Sequence, residues 1–352
     1  WKHAGYNDTC WKAVSAYPSE MHHLTAQLNE PMRIIKELKP VAMHKSGPNK
    51  YVFDLGQNMV GWVRLNLPYN PGSPIRFRHA EVLYDDGTLY TDNLRGAKQI
   101  DLYKPADEQN ISYEPRFTFH GFRYVEVEGL TREPSLDNIT GKVVASSSPV
   151  VSSFETSDKD VNKLWSNIRW TLWGNLTSIP TDCPQRDERE GWMADAQVFS
   201  QTAIYNLDMA GFYTKWARDI RDSQLDDGRF PDIAPHDGTW RNFFNGPGWA
   251  DAGTIIPWRV YENYSDIKIL GDQYEAMKKF VDHNHKNNPD LIWRNGRGND
   301  YNDWLNGNWI VAKDYPKEGG SVPNEVFATA YFAFSAEIVA QSARLLNKTE
   351  DY

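Results

Sequence analysis

The sequence has only two cysteines in 352 residues, Cys10 and Cys183. They could pair once at most, so a disulfide framework is excluded. There is no C-x-x-C and no H-E-x-x-H, and the nine histidines are scattered, which argues against a structural zinc site. No run of about 18 apolar residues occurs, so nothing reads as membrane-spanning. No Lys/Arg block stands out, and 38 basic residues face 47 acidic ones, a net charge of -9. That balance disfavours nucleic acid as a partner. The chain opens WKHAGYNDTC with no charged-then-apolar leader, so any signal peptide is expected to have been removed.

What is abundant is aromatic: 14 Trp, 18 Tyr and 15 Phe. Flat rings stack on the C–H faces of sugars, so this excess suits carbohydrate handling. It equally suits large cores and interfaces. Forty per cent hydrophobic residues suffice for such cores and exclude general disorder. The length fits two domains.

The first 150 residues read as β structure. Period-two alternation covers Val63–Leu67, Ile75–His79, Ile100–Leu102 and Phe122–Val127. In the last run, Phe122, Tyr124 and Glu126 are expected to oppose Arg123, Val125 and Val127. Turn signals such as Tyr69-Asn70-Pro71-Gly72 and Asp85-Asp86-Gly87 punctuate the runs. The pattern predicts an antiparallel β-sandwich over 1–150. A serine-rich junction follows, and from about residue 155 the period becomes helical: Val161, Trp165, Ile168, Leu172 and Leu176 share a face. Ser157 with Asp160 resembles a capping box at its start. Further helices are expected through Ala196–Leu207 and Phe212–Ile220, and over 250–264, 273–285 and 323–346. In the last, Phe327, Tyr331, Phe334 and Ile338 form the predicted apolar face. Between helices lie long aromatic loops at 177–191, 224–248 and 289–322; loops of that length are usually functional. Helical hairpins with rich loops between them predict an α/α toroid over 151–352, with an ordinary helical bundle as the alternative.

The densest polar cluster is Thr181 to Asp195, with five carboxylates and two arginines. Like charges this close cannot all ionise cheaply, so a carboxyl with a raised pKa is expected there. A carboxylic acid that stays protonated near neutral pH can serve as a general acid. A solvated ion-pair loop is the plainer reading. Cys183 as a nucleophile needs a base and an oxyanion hole; His236 is the nearest following histidine, with no pattern to support it, and a buried inert thiol fits better. Trp249-Ala250-Asp251 and Asn302-Asp303-Trp304 each set a Trp within two residues of an Asp, a usual sugar-binding pair of groups. Core tryptophan beside a capping Asp is the alternative. His236-Asp237-Gly238 is a weaker candidate.

The run Asp182-Cys183-Pro184-Gln185-Arg186-Asp187-Glu188-Arg189, then Gly191-Trp192 and Asp195-Ala196-Gln197, resembles the central motif of glycoside hydrolase family 78, the bacterial α-L-rhamnosidases. Glu190 and Ala194 depart from that pattern at positions with no catalytic assignment. Phe53–Trp62, His79–Leu83, Asn93-Leu94-Arg95 and Phe119–Tyr124 are similar to the family's preceding β domain, so the likeness runs over almost the whole chain. It implies a β-sandwich followed by part of an (α/α)6 barrel that hydrolyses terminal α-L-rhamnose with inversion. It implies Glu188 as general acid, with Asp182, Arg186, Trp192 and Asp195 lining the sugar site. Trp249 and Trp304 resemble further sugar-contacting tryptophans, and the Asp251 and Asp303 beside them complete the expected set. The family's general base is a downstream glutamate that no residue here matches, so the base is expected outside this chain, together with the rest of a barrel needed for stability.

A hydrolase acting on another terminal sugar would keep the acid and change the aromatic wall; aryl glycosides distinguish the two. An inactive carbohydrate-binding fragment would bind rhamnose and release none. No cofactor is expected. No EF-hand-like loop appears, though scattered carboxylates leave calcium open. The expected partner is a rhamnosylated small molecule or oligosaccharide, with neither nucleic acid nor membrane. Six N-x-S/T sequons, at Asn7, Asn110, Asn138, Asn175, Asn263 and Asn347, matter only in a eukaryotic secretory host. A periplasmic or extracellular place is favoured over a cytoplasmic one.

Overall fold

The computed structural model describes residues 4–16, 25–106, 109–239, 241–305, 320 and 322–352. Part of the third expected loop, 306–319 and 321, lies outside them.

The N-terminal half is antiparallel β structure: β1 (Met32–Leu38), β2 (Ala42–Gly47), β3 (Lys50–Leu67), β4 (Ile75–Ala80), β5 (Val82–Leu83), β6 (Leu89–Tyr90), β7 (Ile100–Tyr103), β8 (Ile111–Tyr113), β9 (His120–Glu128) and β10 (Ile139–Ser146). The long strand β3 organises it. Its first half pairs with β2 and its second with β10 and β8, while β9 runs along it with a register shift between Asp54 and Met59. Phe53 and Leu55 from one half and Val63, Leu65 and Leu67 from the other enter a single core. The sheet thus folds over itself into a sandwich-like layer pair. The expected turns form: Asn70 Oδ1 accepts from Gly72 N–H at 2.9 Å, and Asp86 Oδ1 from Thr88 N–H at 2.9 Å.

The alternation expected at 122–127 is not clean. Phe122, Val125, Glu126 and Val127 are all buried: Phe122, Val125 and Val127 enter the β-domain core, while Glu126 is covered by Ser46 and Arg78 and Tyr124 packs on a second small cluster. A strand covered on both faces need not alternate.

Six described helices follow: α1 (Lys159–Gly174), α2 (Met193–Asn206), α3 (Ala210–Asp222), α4 (Ala252–Tyr264), α5 (Ile267–Asn287) and α6 (Asn324–Leu345). The α1 cap is Asp158, which accepts from Asp160 and Val161 N–H, so the expected Ser157 cap lies one residue early. Helix α5 starts six residues before its predicted bound. Asp266 caps it by accepting from Lys268 and Ile269 N–H, a signal that Asp before an apolar residue carries weakly. The apolar face of α6 is also displaced. Ala328, Phe332, Ser335, Ile338 and Val339 are buried, while Phe334 is exposed and Phe327 and Tyr331 face a cavity. With apolar residues nearly all round, period alone did not identify the inner face. Trp216, Phe212, Phe230, Phe280 and Trp293 form the centre of the helical core. Among the described residues no helix is long and apolar enough to cross a membrane.

Candidate active site

Helix α1 rests on the β domain, and its end is tied there: Ser146 N–H donates to Leu176 O at 2.7 Å, and Ser178 N–H to Ser146 Oγ at 3.0 Å. The loop to α2 then doubles back. Asp182 N–H donates to Glu190 O at 3.0 Å, and Glu190 N–H to Asp182 Oδ1 at 2.7 Å. The residues between them become a tip that presents the charged cluster. Gly191 permits the return: a Cβ there would lie 2.0 Å from Ala234 O, and Ala234 N–H donates to Gly191 O at 3.0 Å. Any larger residue would push the loop off the 230–234 segment.

Glu188 sits at the tip in a nest of donors. Its Oε1 accepts from the Trp192 indole N–H at 2.9 Å; its Oε2 accepts from Arg186 at 3.0 Å and from Arg95, a β-domain residue, at 2.5 Å. Arg186 also reaches Asp182 Oδ2 at 3.3 Å. Arg189 turns away, donates to Phe119 O at 3.1 Å and stacks over the Phe119 ring, fastening the loop to the β domain.

The raised carboxyl expected in this loop is present, but it is not Glu188. Burial raises the Glu188 carboxyl, but the hydrogen bonds from Arg95 and Trp192 and the charges of Arg186 and Arg95 outweigh it and hold it below the usual carboxylate value. Resting Glu188 is therefore ionised, not stored as an acid. The raised group is Asp195, pushed up to about 6 by burial, then by the charges of Asp182 and Glu188. Its side chain lines the cavity and stays open to solvent there, so it is a recessed wall group and not a core one. Asp182 is raised too, chiefly by burial, against the hydrogen bonds it accepts from Cys183 and Glu190. The Cys183 thiol is pushed up to about 11 by burial and by Asp182. It stays protonated, which leaves the nucleophile reading without a thiolate.

A cavity of about 580 Å³ opens beside this loop. Of the residues expected to bind sugar, Asp182, Asp195, Trp249, Asp303 and Trp304 line it. Arg186 and Trp192 stand behind the rim with Glu188. Asp251 does not face the cavity, which is a correction to the expected set. It is fully buried, and its oxygens accept from Ser335 Oγ at 2.6 Å and Gly248 N–H at 2.8 Å. It instead sets the turn that presents Trp249.

Sequence reasoning passed over Asp232 and Tyr301. Asp232 is fully buried and accepts from Gly246 N–H at 2.8 Å and Tyr301 OH at 3.0 Å. The Tyr301 ring packs 4.3 Å from Trp249 and 5.8 Å from Trp192, joining the tryptophans of separate loops into one wall. Its position beside Asn302-Asp303-Trp304 was the available signal. His236 lies in an exposed turn, where its Nδ1 accepts from Gly238 N–H at 3.2 Å.

Asp232 and Asp251 are both pushed up to about 6, mainly by burial. A raised carboxyl favours the fold while protonated. Its contribution is full below about pH 4 and is lost as pH rises through about 6. Asp251→Asn should therefore flatten the decline in stability of the helical domain between about pH 4 and 7 by on the order of 2–3 kcal/mol. Urea unfolding of parent and variant across that range checks it; equally steep declines would refute the attribution.

Two clusters could in principle hold a metal ion among the described residues: His79 with Asp101 and His120, and Asp182 with Cys183 and Glu188. In the first, the His79 and His120 rings stack at 4.1 Å with 20° between planes, so their in-plane lone pairs run side by side and do not converge. In the second, a cation would compete with two guanidiniums and a protonated thiol.

Residues 149–352 match the family described as bacterial alpha-L-rhamnosidase 6 hairpin glycosidase domain, and residues 44–145 match the bacterial alpha-L-rhamnosidase concanavalin-like domain. An α-L-rhamnosidase of Streptomyces avermitilis is 44% identical over 350 residues, which is 99% of this chain and 32% of that protein. The crystal structure of the S. avermitilis α-L-rhamnosidase complexed with L-rhamnose superposes with a TM-score of 0.87 at 42% identity, over 97% of this chain and 32% of that one. The α-L-rhamnosidase structure from Dictyoglumus thermophilum gives a TM-score of 0.86 at 38% identity, over 99% and 38%. The chain thus spans about a third of the length of these relatives. With both halves matched in order, and the charged loop set between β domain and cavity, the chain belongs to the bacterial α-L-rhamnosidase six-hairpin glycosidase family.

Proposed function

We propose that these residues form the acid-bearing part of a glycoside hydrolase that releases terminal α-L-rhamnose with inversion, with residues 151–352 as the barrel portion. The observation that carries the reading is the convergence of Asp182, Asp195, Trp249 and Trp304 on one cavity beside Glu188. Carboxylates suit ring hydroxyls, and a tryptophan wall suits the C5 methyl of a 6-deoxy sugar. That methyl adds only about 1 kcal/mol, so hydroxyl recognition carries most of the selectivity.

In this reading Glu188 gives its proton to the departing glycosidic oxygen. Water attacks the anomeric carbon from the opposite face, activated by a second carboxylate about 6.5–9.5 Å from the first. That base is assigned to no residue of this chain. Substrate binding must let Glu188 take a proton against the two arginines. A second reading makes Asp195 the donor; its carboxyl near 6 at the cavity wall favours it.

The test is hydrolysis of a panel of aryl glycosides by the complete enzyme, followed by proton NMR of the first sugar released. α-L-Rhamnoside should be the preferred substrate and β-L-rhamnose the first anomer. Preference for another sugar would replace the substrate assignment, and α-L-rhamnose appearing first would replace inversion. Rhamnose binding without release would leave only a binding protein.

A further inference from the structure

We propose that Arg95, a residue of the β domain, is the positioning residue for the Glu188 carboxyl, so that β domain and helical domain form one catalytic unit; this rests on the reading of Glu188 as proton donor. The observation is a two-point latch. Arg95 Nη2 donates to Glu188 Oε2 at 2.5 Å, while the next residue, Gly96, donates its N–H to Asp187 Oδ2 at 2.9 Å. Arg95 Nε also stands 3.7 Å from Asp187 Oδ1. Two adjacent residues of one loop therefore grip two adjacent residues of the other. At Gly96 a Cβ would come within 2.7 Å of Asp187 Oδ2, so backbone and carboxylate meet as closely as the chain allows.

The β domain aims the guanidinium. Arg95 ends a short 3-10 turn, Asp92–Leu94, with φ at +53°, a left-handed backbone that non-glycine residues adopt at a cost. Leu94 is buried beneath the turn. Asn93 donates to Glu81 Oε2 at 3.1 Å, and Glu81 Oε1 accepts from Asn58 at 2.9 Å. The turn is thus held by β-domain residues. Around Glu188 stand Arg95, Arg186 and the Trp192 indole, with the carboxyls of Asp182, Asp187 and Asp195 and the Cys183 thiol nearby. Arg186 divides its guanidinium between Glu188 and Asp182, whereas the Arg95 bond to Glu188 is the shorter. The Arg95 side chain is 53% exposed, so replacing it opens no core cavity.

The experiment compares Arg95→Met and Arg95→Lys with the parent and with Glu188→Gln in the complete enzyme. Rates are followed across pH on phenyl α-L-rhamnoside, whose leaving group needs a proton, and on the 2,4-dinitrophenyl analogue, whose leaving group does not. In Arg95→Met the alkaline limb of kcat/KM should move to higher pH, because a carboxyl that loses a cation keeps its proton longer. Its kcat on the phenyl substrate should fall roughly ten-fold, with the dinitrophenyl rate held within about two-fold. Arg95→Lys should restore most of both. Glu188→Gln should lack that limb altogether, which separates it from the titration of Asp182 and Asp195. A limb that stays in place in Arg95→Met, or equal losses on both substrates, overturns the proposal while the Glu188→Gln result still supports the donor. A Glu188→Gln enzyme with intact phenyl turnover removes the donor reading and the proposal with it.

Discussion

Glu188→Gln in the complete enzyme should lower turnover of phenyl α-L-rhamnoside by about 10²–10⁴-fold, the range a positioned proton donor supplies. Glutamine fills the same space, its one amide oxygen can still accept either from the Trp192 indole or from the arginines, and the Asp182–Glu190 backbone pairing is untouched, so the loop should hold and circular dichroism should be unchanged. What is lost is the proton itself. The dinitrophenyl rhamnoside, whose leaving group departs unassisted, should fall far less. Phenyl turnover within a few-fold of the parent would sink the assignment. A collapse confined to Asp195→Asn would move the donor to that residue, in keeping with its carboxyl near 6.

Trp216→Ala should cost about 3–5 kcal/mol of stability in the helical domain. Trp216 is fully buried at the centre of the helical core. Its indole N–H donates to Ala234 O at 3.0 Å, the same residue whose N–H holds Gly191. Truncation leaves a large void and unpairs a buried carbonyl behind the charged loop. Trp216→Phe keeps much of the volume and should lose about half as much. Urea midpoints at unchanged slope would report this. An alanine variant within about 1 kcal/mol of the parent would mean that the core collapses around the gap.

The motif from Asp182 to Asp195 located the charged loop beside the cavity, because charge density and punctuation are local properties of a chain. Helix α1 and the strands at 63–67 and 75–79 were legible for the same reason: one face is apolar and the period shows. Legibility failed where an element is covered on more than one side. Strand β9 lost its alternation because both its faces are covered, and α6 has apolar residues nearly all round. Asp251 and Trp249 look equivalent as neighbours in sequence, yet a helix start sends one into the core and the other to the cavity.

Residue order alone determined which groups are available for chemistry here: an acidic and guanidinium-rich loop, tryptophans paired with aspartates, and a change from two-residue to helical period. Tertiary structure decided the charge state of each carboxyl. Proton affinity depends on what lies within a few ångströms, and Arg95 reaches Glu188 from 93 positions away. Crowding along the chain pointed to some raised carboxyl in the loop, and the family likeness put the acid at Glu188. Packing delivered two cations to that carboxylate and withheld water from Asp232 and Asp251, while Asp195 is raised at the cavity wall by desolvation and by the charges of Asp182 and Glu188, which is why the raised groups lie elsewhere.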